Sequence, residues 1–263
     1  MKIISLLSLG IGLIFMGLLT SCDNQKMQTE INLKNLTPVV LKQEGTEIFQ
    51  YWEFKNDSNL WTHHFKIPAN IKSYKDTLEN IFGKDSFNFH VQKMAYQDNS
   101  YQSVQTLNGD SINAQLVHSK MVGKIRPMQY LEAQLLDYQL SRYPLFSWPT
   151  EFHGFILTHD SLKLVKVYFA ASDQPWPPKP NVILERLVEE LKQGWTFKYH
   201  LHNHYEPRSS HYLGILAPSM ADAQFYQFLF EDFNLENALI TNGFHTVEIN
   251  KSEFSKFKAH GNE

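Results

Sequence analysis

The sequence predicts a mixed α+β fold, and three observations carry that reading. Aromatic and β-branched runs alternate with period two over residues 47–54 and 195–204, as half-buried strands do. Apolar residues recur at helical spacing through Met128, Leu131, Leu135 and Tyr138, and again through Ile183, Leu184, Leu187, Val188 and Leu191. With 43% hydrophobic and 19% charged residues, a chain of 263 residues holds enough apolar area for one or two packed domains.

The chain opens with Lys2 and an uncharged apolar run over residues 3–19. That run is short for a membrane-spanning helix and suits the central part of an export signal. The segment Leu19-Thr20-Ser21-Cys22 resembles the lipobox of bacterial lipoproteins. The resemblance implies cleavage before Cys22, lipidation of Cys22, attachment to a membrane by acyl chains, and a folded part in the cell envelope, outside the cytoplasm. Residues 1–21 are then the signal peptide and 22–32 a polar tether.

Residues 33–121 read as an α+β N-terminal region of unknown role. One helix is expected near residues 74–82. Asn108-Gly109, between apolar runs at 104–107 and 112–114, is a hairpin signal. His63-His64 reads as a strand pair rather than as ligands. In the second half Pro127 opens a helix that ends near Tyr143-Pro144. Residues 152–157 and 162–170 form a hairpin around His159-Asp160-Ser161, and the four prolines of residues 173–180 force an extended loop. Asn181 caps a helix that Gly194 ends, a strand runs over 195–204, and Ser219 begins another helix. Residues 238–241 and 244–249 close the fold around Asn242-Gly243, and residues 251–263 read as a polar tail.

Composition excludes several chemistries. The formal charge of −3, with no basic block, gives no means of neutralising a phosphate backbone, so nucleic acid is not an expected partner. Cys22 is the one cysteine, so the body has no disulfide, no thiolate nucleophile and no cysteine-ligated zinc. Neither a P-loop nor G-x-S-x-G occurs. Histidine and carboxylate chemistry remains.

Four of the 12 histidines are His200, His202, His204 and His211. Residues i and i+2 share one face of a strand about 6.6 Å apart. Two imidazoles so placed can converge on one ion at about 2.0–2.1 Å. Asp222, in the first turn of the following helix, is the third candidate ligand, because the helix dipole favours a carboxylate there. Ser219-x-x-Asp222 reads equally well as a capping motif.

His202-Asn203-His204 followed by Pro218-Ser219-Met220-Ala221-Asp222, with Glu151-Phe152-His153-Gly154-Phe155-Ile156-Leu157-Thr158 upstream, resembles the JAMM (MPN-type) metalloproteases across residues 122–250. The resemblance implies a mixed sheet flanked by helices and a zinc ion held by His202, His204 and Asp222. It implies Glu151 as the base that deprotonates an attacking water, and Ser219 as the hydrogen-bond donor to the oxyanion. The expected reaction is hydrolysis of a peptide or isopeptide bond, with a protein, a peptide or a peptidoglycan cross-link as substrate. The chain departs from the family at Tyr205, where proline is usual, and in its longer spacer over residues 205–218. That loop, with Glu206, Arg208 and His211, is expected to shape substrate access, and His200/His202 stays open as a second pairing. Too little chain follows His204 for an amidohydrolase barrel of about 250 residues, and H-E-x-x-H is absent. A non-catalytic MPN-like scaffold and a surface metal-binding lipoprotein are the other readings.

Overall fold

A computed structural model describes residues 31–96, 109–205 and 214–259. Its strands are β1 (Val39–Glu44), β2 (Glu47–Lys55), β3 (Lys124–Pro127), β4 (Phe152–His159), β5 (Leu164–Ala171), β6 (Thr196–Asn203), β7 (Asn237–Thr241) and β8 (His245–Asn250). The helices are α1 (Ala69–Phe82), α2 (Lys84–Tyr96), α3 (Gly109–His118), α4 (Tyr130–Arg142), α5 (Asn181–Lys192) and α6 (Met220–Phe233). All the strands share one sheet in the order β1-β2-β5-β4-β6-β7-β8-β3, so the fold is mixed α+β. The β6–β7 pair is parallel and the other neighbours are antiparallel.

Helices cover both faces of this sheet. On one face Leu131, Leu135, Leu136 and Leu140 of α4 pack with Ile71 of α1 against Phe152, Ile156, Phe169 and Leu201. On the other, Val117 of α3, Ile183 and Leu187 of α5 and Tyr226 and Leu229 of α6 cover Phe155, Leu157, Phe197 and Ala238. Each such leucine or isoleucine contributes about 1.5–3 kcal/mol by leaving water. That burial on two sides is why β4 reads as a nearly continuous apolar run.

One irregularity decides which face carries the histidines. Ile156 pairs with Tyr199 but Leu157 pairs with Phe197, so Lys198 is an extra residue in β6. A bulge of this kind reverses the in–out alternation beyond it. Phe197 faces α6, and after the bulge it is His200 and His202 that face α6, while Tyr199 and Leu201 pack on the opposite layer. The crossover β6–α6–β7 joins two parallel strands through a helix, as such a pair requires. It brings the N-terminus of α6 to the carboxyl ends of β6 and β7, where open sheets of this kind bind ligands.

A buried ion pair ties the far edge of the sheet to α4. Arg126 of β3 forks onto both oxygens of Glu132 at 2.6 and 3.1 Å and reaches Glu248 of β8 at 2.8 Å. Glu132 also accepts from the Thr246 hydroxyl at 2.7 Å and from the Gln129 N–H at 3.0 Å, which closes the capping box of α4.

Several expectations are corrected. Residues 112–114 lie in α3, not in a hairpin strand, because Asn113, Ala114 and Val117 are buried at helical spacing; Asn108 lies outside the described residues. The boundary at residue 121 does not separate two units, since β2 pairs along its whole length with β5. Pro127 ends β3, and α4 starts three residues later. Asn181 is the first residue of α5 and its side chain makes no cap. The expected polar tail forms a 3-10 turn, Lys251–Lys256, and buries Phe254, Phe257 and Ala259. Among the described residues no helix is long and apolar enough to cross a membrane. The apolar run at 3–19 and Cys22 lie outside the described residues.

Arg126 is 7% exposed and Glu132 2%, so removing one partner leaves a buried charge without its counterion. Glu132→Ala is therefore expected to cost about 3–5 kcal/mol in urea unfolding. Replacing both residues by leucine should cost less than that single change.

Candidate metal centre

The carboxyl ends of β6 and β7 and the first turn of α6 meet at three side chains. His202 Nε2 lies 2.9 Å from His204 Nε2. Asp222 Oδ1 is 3.4 Å from the first of these nitrogens, and Asp222 Oδ2 is 3.4 Å from the second. One ligand atom from each residue falls within 4.8 Å of the others. Bonds of about 2.0–2.2 Å to one tetrahedral ion would set neighbouring ligand atoms about 3.3–3.6 Å apart; both Asp222 contacts match that spacing, and the two imidazole nitrogens, at 2.9 Å, would part by about 0.5 Å to admit a small cation. Two imidazoles and a carboxylate suit zinc.

The outer hydrogen bonds turn the correct nitrogens inward. His204 Nδ1 donates to the Ile215 carbonyl at 2.7 Å, and because a carbonyl only accepts, one proton is fixed on Nδ1 and Nε2 is the nitrogen left for a second proton or a cation. His202 Nδ1 is held at 3.1 Å by the hydroxyl of Tyr226, a fully buried residue one helical turn beyond Asp222. Burial, then the charges of Asp222 and Glu151, push the Tyr226 phenol well above its ordinary range, so it stays a neutral hydroxyl. The loop reaches His204 through Gly214, where a Cβ would stand 2.3 Å from the His204 carbonyl oxygen. Only glycine permits that approach.

Asp222 is fixed from its own helix. The Ser219 backbone N–H and hydroxyl both donate to Asp222 Oδ2, at 2.9 and 2.7 Å, while Ser219 Oγ accepts from the Asp222 N–H at 3.1 Å. Burial opposes ionisation of Asp222, but the charges and hydrogen bonds of His202 and His204 outweigh it and hold the carboxyl well below the usual range. Its side chain remains 24% exposed, which leaves this side of the cluster open to water. Ser219 thus serves as the cap of α6 and as the group that orients Asp222.

Glu151 stands just before β4. Its backbone N–H donates to the Pro175 carbonyl at 3.1 Å. Asn203, between the two histidines, clamps the chain on both sides of it: Asn203 Oδ1 accepts from the Phe152 N–H at 3.2 Å and Nδ2 donates to the Thr150 carbonyl at 3.1 Å. Burial raises the Glu151 carboxyl, against the pull of His204 and His202 and with the push of Asp222, so its charge is sensed by the whole cluster.

The remaining histidines part company from the site. His200 Nε2 and His153 Nδ1 lie 2.9 Å apart, and burial, then the neighbouring imidazoles, holds both neutral; His153 falls to about 3. His200 does not join the cluster, so the His202/His204 pairing is the one that converges with Asp222. His63 and His64 lie apart from the cluster, and Glu206, Arg208 and His211 are outside the described residues. Sequence reasoning singled out the five motif residues but missed Tyr226, Ile215 and the clamp by Asn203. Their roles depend on pairings between distant segments, and the one local signal is Gly214-Ile215 placed ahead of the S-x-x-D motif.

Burial lowers the basicity of His204, but the hydrogen bond and charge of Asp222, then Glu151 and the Ile215 carbonyl, outweigh it and raise the imidazole to about 9. Proton and cation compete for the same Nε2 lone pair. Zinc affinity measured by competition with a chelator should therefore fall about tenfold per pH unit below pH 9, with a proton released on binding. No family model, curated protein or solved structure matches the chain, so the centre stands on its own geometry.

Proposed function

We propose that the protein is a zinc-dependent hydrolase of peptide or isopeptide bonds, similar in its centre to the JAMM enzymes and held in a bacterial cell envelope through lipidated Cys22. The convergence of His202, His204 and Asp222 beside a half-buried Glu151, whose carboxyl is raised, carries the reading. Bound there, zinc would supply Lewis acidity, acidifying a water molecule and polarising the scissile carbonyl. Three protein ligands and an open side are the arrangement of a catalytic rather than a structural site.

The protein's residues supply the rest. Glu151, raised by burial, takes the proton of the attacking water and returns it to the leaving amine. Asn203 fixes where that carboxyl stands by holding the backbone on both sides of it. Ser219 orients Asp222, and its hydroxyl reaches an oxyanion only by turning away from Asp222 Oδ2. Envelope location makes exported proteins and peptidoglycan cross-links the substrates to try.

One observation favours the scaffold reading: the Ser219–Asp222 capping box accounts for that pair as a helix start alone. Metal analysis of the full chain in detergent separates the two. The hydrolase should carry stoichiometric zinc that Asp222→Ala loses, and a scaffold should carry none. Glu151→Gln should keep its zinc and lose at least about a hundredfold in turnover. Asn203→Ala should also keep its zinc and lose about 10–100-fold. Undiminished turnover in Glu151→Gln removes the glutamate from the mechanism.

A further inference from the structure

A cavity of about 320 Å3 lies between α1, α2 and the turn that joins β7 to β8. Its walls are apolar, with Phe65, Ile71, Phe87, Met128 and Phe244 among them. His63 and Lys75 are the titratable groups that line it, Lys75 being drawn towards Glu79 at 3.6 Å, and no acidic residue faces the space. The volume is at the small end of the range for ligand sites, about 300–1,000 Å3, so it suits one bulky group rather than an extended chain.

Two independent links tie this cavity to the metal centre. The His204 backbone N–H donates to the Thr241 carbonyl at 2.9 Å, and the Thr241 hydroxyl touches the sulfur of Met128, in the cavity wall, at 3.5 Å. Ile215, whose carbonyl holds His204 Nδ1, packs its side chain on the cluster of Leu78 and Phe87, and Phe87 is another wall residue. The same ligand is thus braced twice by residues that border the cavity or sit one contact from it.

Asn242 supplies a separate observation. It is 2% exposed, and it stands in sequence between Thr241 and the cavity residue Gly243. Asn242 Oδ1 accepts from the N–H groups of Phe244 and His245, at 3.1 and 3.0 Å, which settles the orientation of the amide. Its Nδ2 is then a buried donor with no partner among the described residues. Asn242 is not one of the lining residues; its amide oxygen holds the turn that forms one wall of the cavity.

We propose that this cavity is the specificity pocket of the metal centre, taking a bulky apolar side chain next to the bond that is cut. The proposal rests on the hydrolase reading and narrows its substrate class to peptides with phenylalanine-, leucine- or methionine-like residues at the scissile bond. A charged side chain would lose its hydration against these walls.

The test uses the full zinc-loaded chain in detergent and a mixture of synthetic peptides, with cleavage sites read by mass spectrometry. Bulky apolar residues should exceed alanine and glycine on one side of the cut by at least about tenfold, in line with the usual worth of a hydrophobic pocket. Val91→Trp, which narrows the cavity from the half-buried side of α2, should shift the preference towards small residues with zinc content unchanged. Ile67→Trp, on the exposed rim, serves if the first variant fails to fold. In parallel the anionic dye anilinonaphthalene sulfonate should bind, be displaced by N-acetylphenylalaninamide better than by N-acetylalaninamide, and lose affinity in the same variants. Cleavage whose preference neither variant alters overturns the pocket and leaves the hydrolase standing. If zinc binds and nothing is cleaved, both fall, and dye displacement then marks the cavity as a binding site for some other apolar ligand.

Discussion

Two imidazole nitrogens 2.9 Å apart, one of them with its lone pair turned inward by a carbonyl behind it, need an electropositive centre between them. A proton or a divalent ion can supply it, and Asp222 lies 3.4 Å from each nitrogen to balance either. Most of the surrounding architecture keeps that triangle closed. The extra residue in β6 turns His202 towards α6, the cap at Ser219 fixes Asp222, Tyr226 and Ile215 lock the outer nitrogens, and Gly214 lets the loop come close enough. Each of these contacts is short-range and directional, so the triangle tolerates little slack.

The first half of the chain is part of the same construction. Asp110, in the first turn of α3, accepts from the Met220 N–H at 2.7 Å and so helps to satisfy the start of α6, the helix that carries Asp222. Gly109 lies so near Met220 that a Cβ there would stand 2.2 Å from its sulfur. On the opposite layer Asp137 of α4 accepts from the Asn70 N–H at 3.2 Å and pairs with Lys34, which fixes the start of α1 against the sheet. These contacts span more than 60 residues of sequence and tie the described part of residues 33–121 to the elements that carry the candidate site.

The sequence made the His202, His204 and Asp222 cluster legible because its spacing is local: H-x-H is a two-residue repeat on a strand, and S-x-x-D is one helical turn. Glu151 was visible only through the surrounding strand pattern, since it lies 51 residues from His202. Asn203 looked like filler between two histidines, because the groups it holds, at Thr150 and Phe152, join it only through the pairing of β4 with β6. The choice between His200/His202 and His202/His204 was equally unreadable, since all three share one parity. What separates them is His153 across the sheet, which engages His200 and leaves the other two to Asp222. Turn chemistry misled at Asn108-Gly109 because burial of Asn113, Ala114 and Val117 outweighs local hairpin preference.

The chain's last described segment is stitched into the molecule rather than trailing from it. Asn113, fully buried, exchanges two hydrogen bonds with the backbone of Lys258, at 2.9 and 2.7 Å, and Phe254 rests on the ring of Tyr226 with centroids 5.6 Å apart. Tyr226 is the residue whose hydroxyl grips His202. A purification handle or reporter therefore belongs beyond Ala259, and a clip that removed the final ten residues would loosen an imidazole it never touches.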